Sequence, residues 1–295
     1  MEWKTVELRD KHGEGFDIIK CEDIILPSFV TDIDKKLQMM KDLKHKDEHI
    51  LLCSYPKTGT HWVSNIVEFI CSEKSVEETS TVMPKLMELM PMEVWSAINE
   101  CNILSSHFTA NHIPDQFFQK GSKTIVIVRN PKDAMVSMFH HLQKAVQINT
   151  KMSWDYFYEI YSTGEVPYGS YFDYYDSYEA KMEECDSGDF LIVSFENLKK
   201  NCLEELKRIQ EFIGTKKSED ELQKIIERLT VKNMRQDINA GKTKSVIVDT
   251  SGQSVLYRKG EIGDWKNHFT VAQNERFDKL IEERFKNSVF NIDTN

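Results

Sequence analysis

Between residues 55 and 62 the chain reads Tyr55-Pro56-Lys57-Thr58-Gly59-Thr60-His61-Trp62, small, hydroxyl-bearing and cationic residues around one glycine. If a strand ends before this segment and a helix begins within it, successive backbone N–H groups point at one spot, where the helix dipole favours an anion. Lys57 adds a point charge there, and Thr58 and Thr60 add hydroxyl donors. These are the parts of a phosphate-type cradle. The Walker pattern does not fit, because GxxxxGKS or GxxxxGKT places glycine first and lysine directly before the hydroxyl residue. An ordinary strand–helix turn can carry the same four letters, so the flanking elements decide between the two readings.

The flanks favour the cradle. Ile50-Leu51-Leu52-Cys53-Ser54-Tyr55, Thr124-Ile125-Val126-Ile127-Val128 and Phe190-Leu191-Ile192-Val193-Ser194-Phe195 are short apolar runs without alternation, the signature of strands covered on both faces. Asn102-Ile103-Leu104-Ser105-Ser106 is a fourth candidate. Helical stripes follow the three strong runs: Trp62, Val63, Ile66, Val67, Phe69 and Ile70 after the first; Met135, Val136, Met138, Phe139 and Leu142 after the second; Leu203, Leu206, Ile209, Phe212 and Ile213 after the third. Asn130 is a natural N-cap with Pro131 at the first helical position. Ser218 with Glu221, and Thr270 with Gln273, read as capping boxes. This alternation predicts one doubly wound α/β domain over residues 1–295, a central parallel sheet flanked by helices, with ligands beyond the carboxyl ends of the strands. The polar, turn-rich stretch from Gly241 through Ser254 is expected to be a mobile lid rather than a linker.

In this setting the chain resembles the cytosolic sulfotransferase family, whose loop for 3′-phosphoadenosine-5′-phosphosulfate (PAPS) reads approximately YPKSGTTW. Ile127 through Ser137 is similar to the family's 3′-phosphate segment, and Arg258 through Asn267 to its RKGxxGDWKN element. Lys266, Thr270, Val271 and Glu275 match its KxxxTVxxxE dimer motif. The resemblance covers most of the chain, with the motifs in the right order. It implies a PAPS-binding strand–loop–helix and transfer of a sulfuryl group to a small acceptor, with a homodimer and no metal.

By the same resemblance, Lys57 sits against the 5′-phosphosulfate, and Thr58, Gly59, Thr60 and His61 supply loop donors. Trp62 stacks on the adenine or belongs to the core, and Phe195 lies near the adenine. Arg129 and Ser137 hold the 3′-phosphate, Ser137 also contacting the loop lysine, while Arg258, Lys259 and Gly260 close over that phosphate. His107 aligns with the catalytic base, able to take a proton as the acceptor's oxygen or nitrogen attacks sulfur; catalysis thus falls to His107, Lys57 and Ser137. His140 and His141 lie near the acceptor side in the family, although a plain surface or pocket role is the simpler reading. Met83 to Met92 and Ala145 to Tyr161 are candidate walls for a flat apolar acceptor, or core.

Some positions depart from the family. His61 replaces a threonine, Ser105 stands where many members carry lysine, Phe195 replaces a tyrosine, and Leu229-Thr230-Val231 replaces Thr-Ser-Phe. A nucleotide kinase is the first rival and lacks its Walker lysine here; a non-catalytic binding protein that keeps the donor site is the second.

Composition narrows the class further. A net charge of −10 over 295 residues argues against a nucleic-acid partner or an anionic membrane surface. The start, Met1-Glu2-Trp3-Lys4-Thr5-Val6-Glu7, has no apolar signal core, and no apolar run approaches the length of a membrane helix. Six scattered cysteines (21, 53, 71, 101, 185, 202) form no CxxC pair, and no Asn-x-Ser/Thr sequon occurs. A cytoplasmic protein with reduced thiols is the expectation.

Overall fold

The computed structural model describes all residues except 1, 45, 94, 96, 97, 99, 100, 120, 149, 186–189, 244–246, 291 and 293–295. Part of the stretch expected to be a lid, residues 244–246, therefore lies outside the described residues, as does Asn149 in one candidate acceptor wall. Lys4–Arg9 (β1), Gly15–Cys21 (β2) and Ile24–Pro27 (β3) form an antiparallel sheet in the order β1-β2-β3. No apolar periodicity in the sequence marks this sheet. Its first strand, KTVELR, is mostly exposed and carries too few apolar residues to signal burial.

The second sheet is the expected one. Ile50–Ser54 (β4), Ile103–Ser106 (β5), Lys123–Val128 (β6) and Phe190–Ser194 (β7) lie in the order β5-β4-β6-β7. All three pairings are parallel; Leu52, for example, faces Ser105 on one side and Ile125 on the other. All five residues of β4 are buried, which is why the run does not alternate.

Helices cover both faces. Ile33–Asp42 (α1), Thr60–Cys71 (α2), Pro131–Lys144 (α3), Trp154–Ser162 (α4) and Tyr171–Glu184 (α5) come first. Phe195–Lys200 (α6), Cys202–Ile213 (α7), Glu219–Arg228 (α8), Val231–Asn239 (α9) and Val271–Phe285 (α10) follow. The predicted caps form: the Asn130 side chain accepts from the Lys132 amide, and both capping boxes close. The third apolar run ends one residue early, because Ser194 caps α6 and Phe195 opens it. Two apolar clusters fill the layers, one holding Val63, Val67, Ile125 and Leu206, the other running from Leu8 to Phe290 and including Leu51, Val126 and Tyr171.

α5 fixes the ends of the sheet. Its buried tyrosines donate hydrogen bonds to backbone carbonyls where strands finish: Tyr171 to Arg129, Tyr175 to Ile127 at 2.6 Å, and Tyr178 to Phe108 at 2.9 Å. Each hydroxyl thus ties α5 to the backbone at or just beyond the carboxyl end of a strand.

Candidate active site

The functional side chains hang from the carboxyl ends of all four parallel strands, where a doubly wound sheet presents its ligand crevice. Residues 55–62 follow β4, His107 follows β5, Arg129 follows β6 and Phe195 follows β7. One cavity of about 780 Å³ collects them. Lys57, Gly59, Thr60, His61, Trp62, His107, Arg129, Ser137, Phe195, Arg258, Lys259 and Gly260 all line it.

The loop is built to turn tightly. Lys57 adopts φ 72° and Gly59 φ 116°, so the chain enters α2 through two left-handed residues. A Cβ at position 59 would stand 3.0 Å from the Phe195 ring. Thr58 is the one singled-out site residue that does not line the cavity: its hydroxyl donates to the Tyr55 carbonyl at 2.7 Å and closes the turn from inside. The Thr60 hydroxyl bonds to Ser54 Oγ at 2.6 Å. The loop's side-chain donor set is thus smaller than its letters suggest, and the backbone N–H groups at the start of α2 carry more of the cradle.

Positive charge converges from three segments. The Arg129 guanidinium donates to the Lys57 carbonyl at 3.1 Å and the Glu261 carbonyl at 3.0 Å, and stands 4.2 Å over the Phe195 ring. Trp62 meets the same ring edge-on at 5.6 Å. Arg258 and Lys259 both bind the Asp264 carboxylate, at 2.5 and 2.6 Å. Asp133 on α3 anchors this strap by accepting from the Gly263 and Trp265 amides at 2.7 and 3.0 Å. Among the described residues, the buried Arg129 Nε and Arg258 Nε have no hydrogen-bond partner. Burial, with the charges of Arg129 and Arg258, brings the Lys57 ammonium down to about 8.

His107 is held as a neutral imidazole. Nδ1 lies 2.6 Å from the Ser54 carbonyl oxygen. A carbonyl only accepts, so Nδ1 carries the proton and Nε2 keeps its lone pair. Burial pushes the imidazole down to about 4. Behind it Glu88 accepts from the His107 amide at 2.8 Å and from Ser106 Oγ at 3.1 Å; burial raises that carboxyl to about 7.

The remaining positions sort themselves by side-chain direction. Ser137 makes no hydrogen bond to Lys57, contrary to the contact the resemblance implied; His141, one helical turn further along the same face of α3, does so instead, at 3.3 Å. His140 turns away from the cavity and meets His268, with the two Nε2 atoms 3.4 Å apart. Of the departures, His61 hydrogen-bonds the Tyr257 hydroxyl, and Val231 packs on Gly260. Ser105 is buried in β5, while Lys85 reaches the cavity from the neighbouring segment. Met83, Leu86, Leu89 and Met90 line the cavity as expected. From the second candidate wall, among the described residues, only Ala145, Gln147 and Ile148 do so, and the aromatic stripe of α4 is core. Tyr168 was not anticipated: it lines the cavity, meets the His107 ring edge-on at 5.1 Å, and its buried hydroxyl has no partner among the described residues.

Strand ends carrying a lysine, an arginine and a buried neutral imidazole, joined by Arg258 from a separate segment, line one cavity whose charge suits an anionic group. The comparisons identify the family. Residues 47–289 match the family described as "Sulfotransferase domain", and the chain belongs to that family. Sulfotransferase 6B1 of Danio rerio is 32% identical over 272 residues, 91% of this chain and 88% of that protein. Sulfotransferase 1C2 of Homo sapiens is 29% identical over 294 residues, 95% of this chain and 96% of that protein. The crystal structure of mouse sulfotransferase SULT7A1 complexed with PAP superposes with a TM-score of 0.74 at 27% identity, covering 92% of this chain and 96% of that one. Among the described residues, no group of three or more His, Cys, Asp or Glu side chains is arranged to hold a metal.

Proposed function

We propose that this protein transfers a sulfuryl group from PAPS to a hydroxyl or amine of a small apolar acceptor, releasing adenosine 3′,5′-bisphosphate (PAP). The observation that carries the reading is the meeting of Lys57 and His107 in one cavity, cationic on one side and lined by Met83, Leu89, Met90 and Ile148 on the other. The acceptor's oxygen or nitrogen lone pair forms the new bond to sulfur, while the bond from sulfur to the bridging phosphate oxygen breaks and leaves its electron pair there. His107 Nε2 takes the acceptor's proton, and the Lys57 ammonium faces the charge growing on the leaving oxygen. The residues present suit such a donor. Gly59 and Gly260 let the backbone lie close against Phe195 and Val231, where a Cβ would crowd those side chains, and the unpartnered Nε donors of Arg129 and Arg258 suit phosphate oxygens. Trp62 and Phe195 offer ring surface for the adenine, and Ser137 and Lys259 stand beside the arginines in the same cavity. One domain carries the activity in this reading, supported by the apolar cluster that joins both sheets. The family resemblance points to a cytoplasmic setting.

Turnover with PAPS against a panel of phenols, steroids, alcohols and amines tests the proposal. PAP release with at least one acceptor supports it. Tight PAP binding without turnover on any acceptor would leave a donor-binding protein, and turnover of ATP with Mg²⁺ a kinase.

Gly260 supplies a separate test of the donor side. It adopts φ 69°, and a Cβ there would stand 2.5 Å from Val231 Cγ2. Gly260→Ala is therefore expected to displace the strap and weaken PAP binding about tenfold or more, roughly 1.4 kcal/mol. Calorimetry reads this directly, and unchanged affinity would remove Gly260 from the donor site.

Dimerisation through Lys266, Thr270, Val271 and Glu275 is the second part of the proposal. Thr270 caps α10, and Val271 follows it at 76% exposure, an apolar side chain with no covering element among the described residues. A small two-fold contact there, below roughly 1,200 Å², would not survive a buried charge. Light scattering on Val271→Glu is expected to give monomers where the parent gives dimers; a parent that is already monomeric at micromolar concentration would refute it.

A further inference from the structure

We propose that His141 is the positioning residue for Lys57, its imidazole accepting a hydrogen bond from the ammonium and holding that charge at the reacting end of the cavity. The inference rests on the reading of Lys57 as the group that faces the leaving oxygen. It starts from geometry. Lys57 reaches the cavity from a left-handed position in the loop, and its ammonium meets His141 Nδ1 at 3.3 Å. An ammonium has donors only, so Nδ1 must be the accepting nitrogen. The ring's own proton then sits on Nε2, and the ring also has a hydrogen bond with the Val255 backbone. His141 is thereby gripped from both sides, by the loop after β4 and by the chain leading into the strap, while its backbone is fixed in α3.

The charge environment favours this arrangement. Burial, then the charge of Lys57, keeps the His141 imidazole well below its usual value, so the ring stays neutral and remains an acceptor. The groups facing the pair are Arg129 and Arg258, which disfavour the lysine's charge, and the neutral rings of His107 and His61. Against these, the His141 imidazole accepts from the ammonium, a contact that favours the protonated lysine. The contact also couples the two halves of the cavity, since His141 lies on the helical turn that carries Met138 and Leu142 into the apolar wall.

The experiment compares pH profiles of kcat and KM for PAPS in the parent, His141→Phe and His141→Asn. Parent turnover is expected to fall as pH rises through about 8, where Lys57 loses its proton. In His141→Phe the acceptor is gone, and the alkaline midpoint should drop by about one pH unit or more. There kcat near neutrality should fall about tenfold while KM for PAPS moves less than about threefold, since the lost contact acts on the reacting end. His141→Asn, whose amide oxygen accepts, should restore most of the midpoint. An unmoved midpoint in His141→Phe, or an Asn variant no better than Phe, overturns the role. A parent that never turns over PAPS overturns the transfer reading instead. Imidazole ¹⁵N spectra of the parent need no variant: a ring protonated on Nε2 supports the contact, and a proton on Nδ1 overturns it.

Discussion

His107→Ala is expected to lower turnover by on the order of 10²-fold or more while PAP binding stays within about threefold of the parent, a change under about 1 kcal/mol. The imidazole lines the cavity and keeps a free lone pair on Nε2, because its Nδ1 proton is committed to Ser54. Its backbone amide remains bonded to Glu88 in the variant, so the turn after β5 keeps its anchor. The pH dependence has a definite sign. Burial places the imidazole near 4, so the base is neutral and competent from neutrality down to about that pH, and the acid limb of kcat/KM should lie there rather than near 6.5. The same shift makes the unfolded chain bind this proton first, so His107 costs the fold stability as pH falls below about 6.5, and the alanine variant should lose less in acid. A variant with near-parent turnover would end the assignment of His107 as the base.

Adenosine-5′-phosphosulfate, which lacks only the 3′-phosphate, is expected to bind at least about 100-fold more weakly than PAPS, since each factor of ten needs only about 1.4 kcal/mol. Arg129 is buried and already oriented by two backbone carbonyls, and its Nε donor is unpartnered among the described residues. A dianion there makes charge-assisted hydrogen bonds worth about 1.5–3 kcal/mol each. The strap tempers the expectation. Arg258 and Lys259 do not simply confront one another, because Asp264 lies between them. Burial works against the Asp264 charge, but hydrogen bonds from Lys259, Asn267 and Arg258 outweigh it and hold the carboxyl well below the usual range. Removing the ligand phosphate therefore leaves paired rather than opposed cations, and the selectivity rests chiefly on Arg129. Arg258→Ala should narrow the gap by weakening PAPS selectively. Calorimetry with PAP and adenosine 5′-monophosphate decides the matter: equal affinities, or tighter binding of ATP with Mg²⁺, would reject the sulfotransferase reading of the site.

The parallel sheet and the cradle were legible because burial on both faces leaves an unbroken apolar run, as in Ile50–Ser54, and because the loop's letters follow it directly. The amino-terminal sheet left no such trace: β1 is stabilised by pairing with β2, which periodicity does not register when most of the side chains are exposed. At the site, the family resemblance singled out His107 and Arg129, and both line the cavity, but side-chain direction lay beyond it. Thr58 turns its hydroxyl inward through a local backbone bond, an option open to any threonine in a turn. His141 finds Lys57 across 84 residues of sequence, and Tyr257 finds His61 across 196. Such pairings follow from the packing of whole elements, and no local pattern encodes them.

The loop of residues 55–62 springs from β4, which lies between β5 and β6 with all five residues buried. The apolar side of the cavity draws on α3 through Met138 and Leu142, and also on irregular segments around Met83, Met90, Ile148 and Ile247. Local opening costs most where buried ladders surround the backbone and least in connecting segments. Under the proposed reading, the loop of residues 55–62 is tied to the buried sheet, whereas the irregular part of the acceptor wall and the strap around Arg258 can rearrange at a smaller cost in free energy. Substitutions in the wall can accordingly redraw what is admitted while the register of the reacting groups stays fixed, so that breadth of acceptor choice and steadiness of chemistry reside in different parts of one chain.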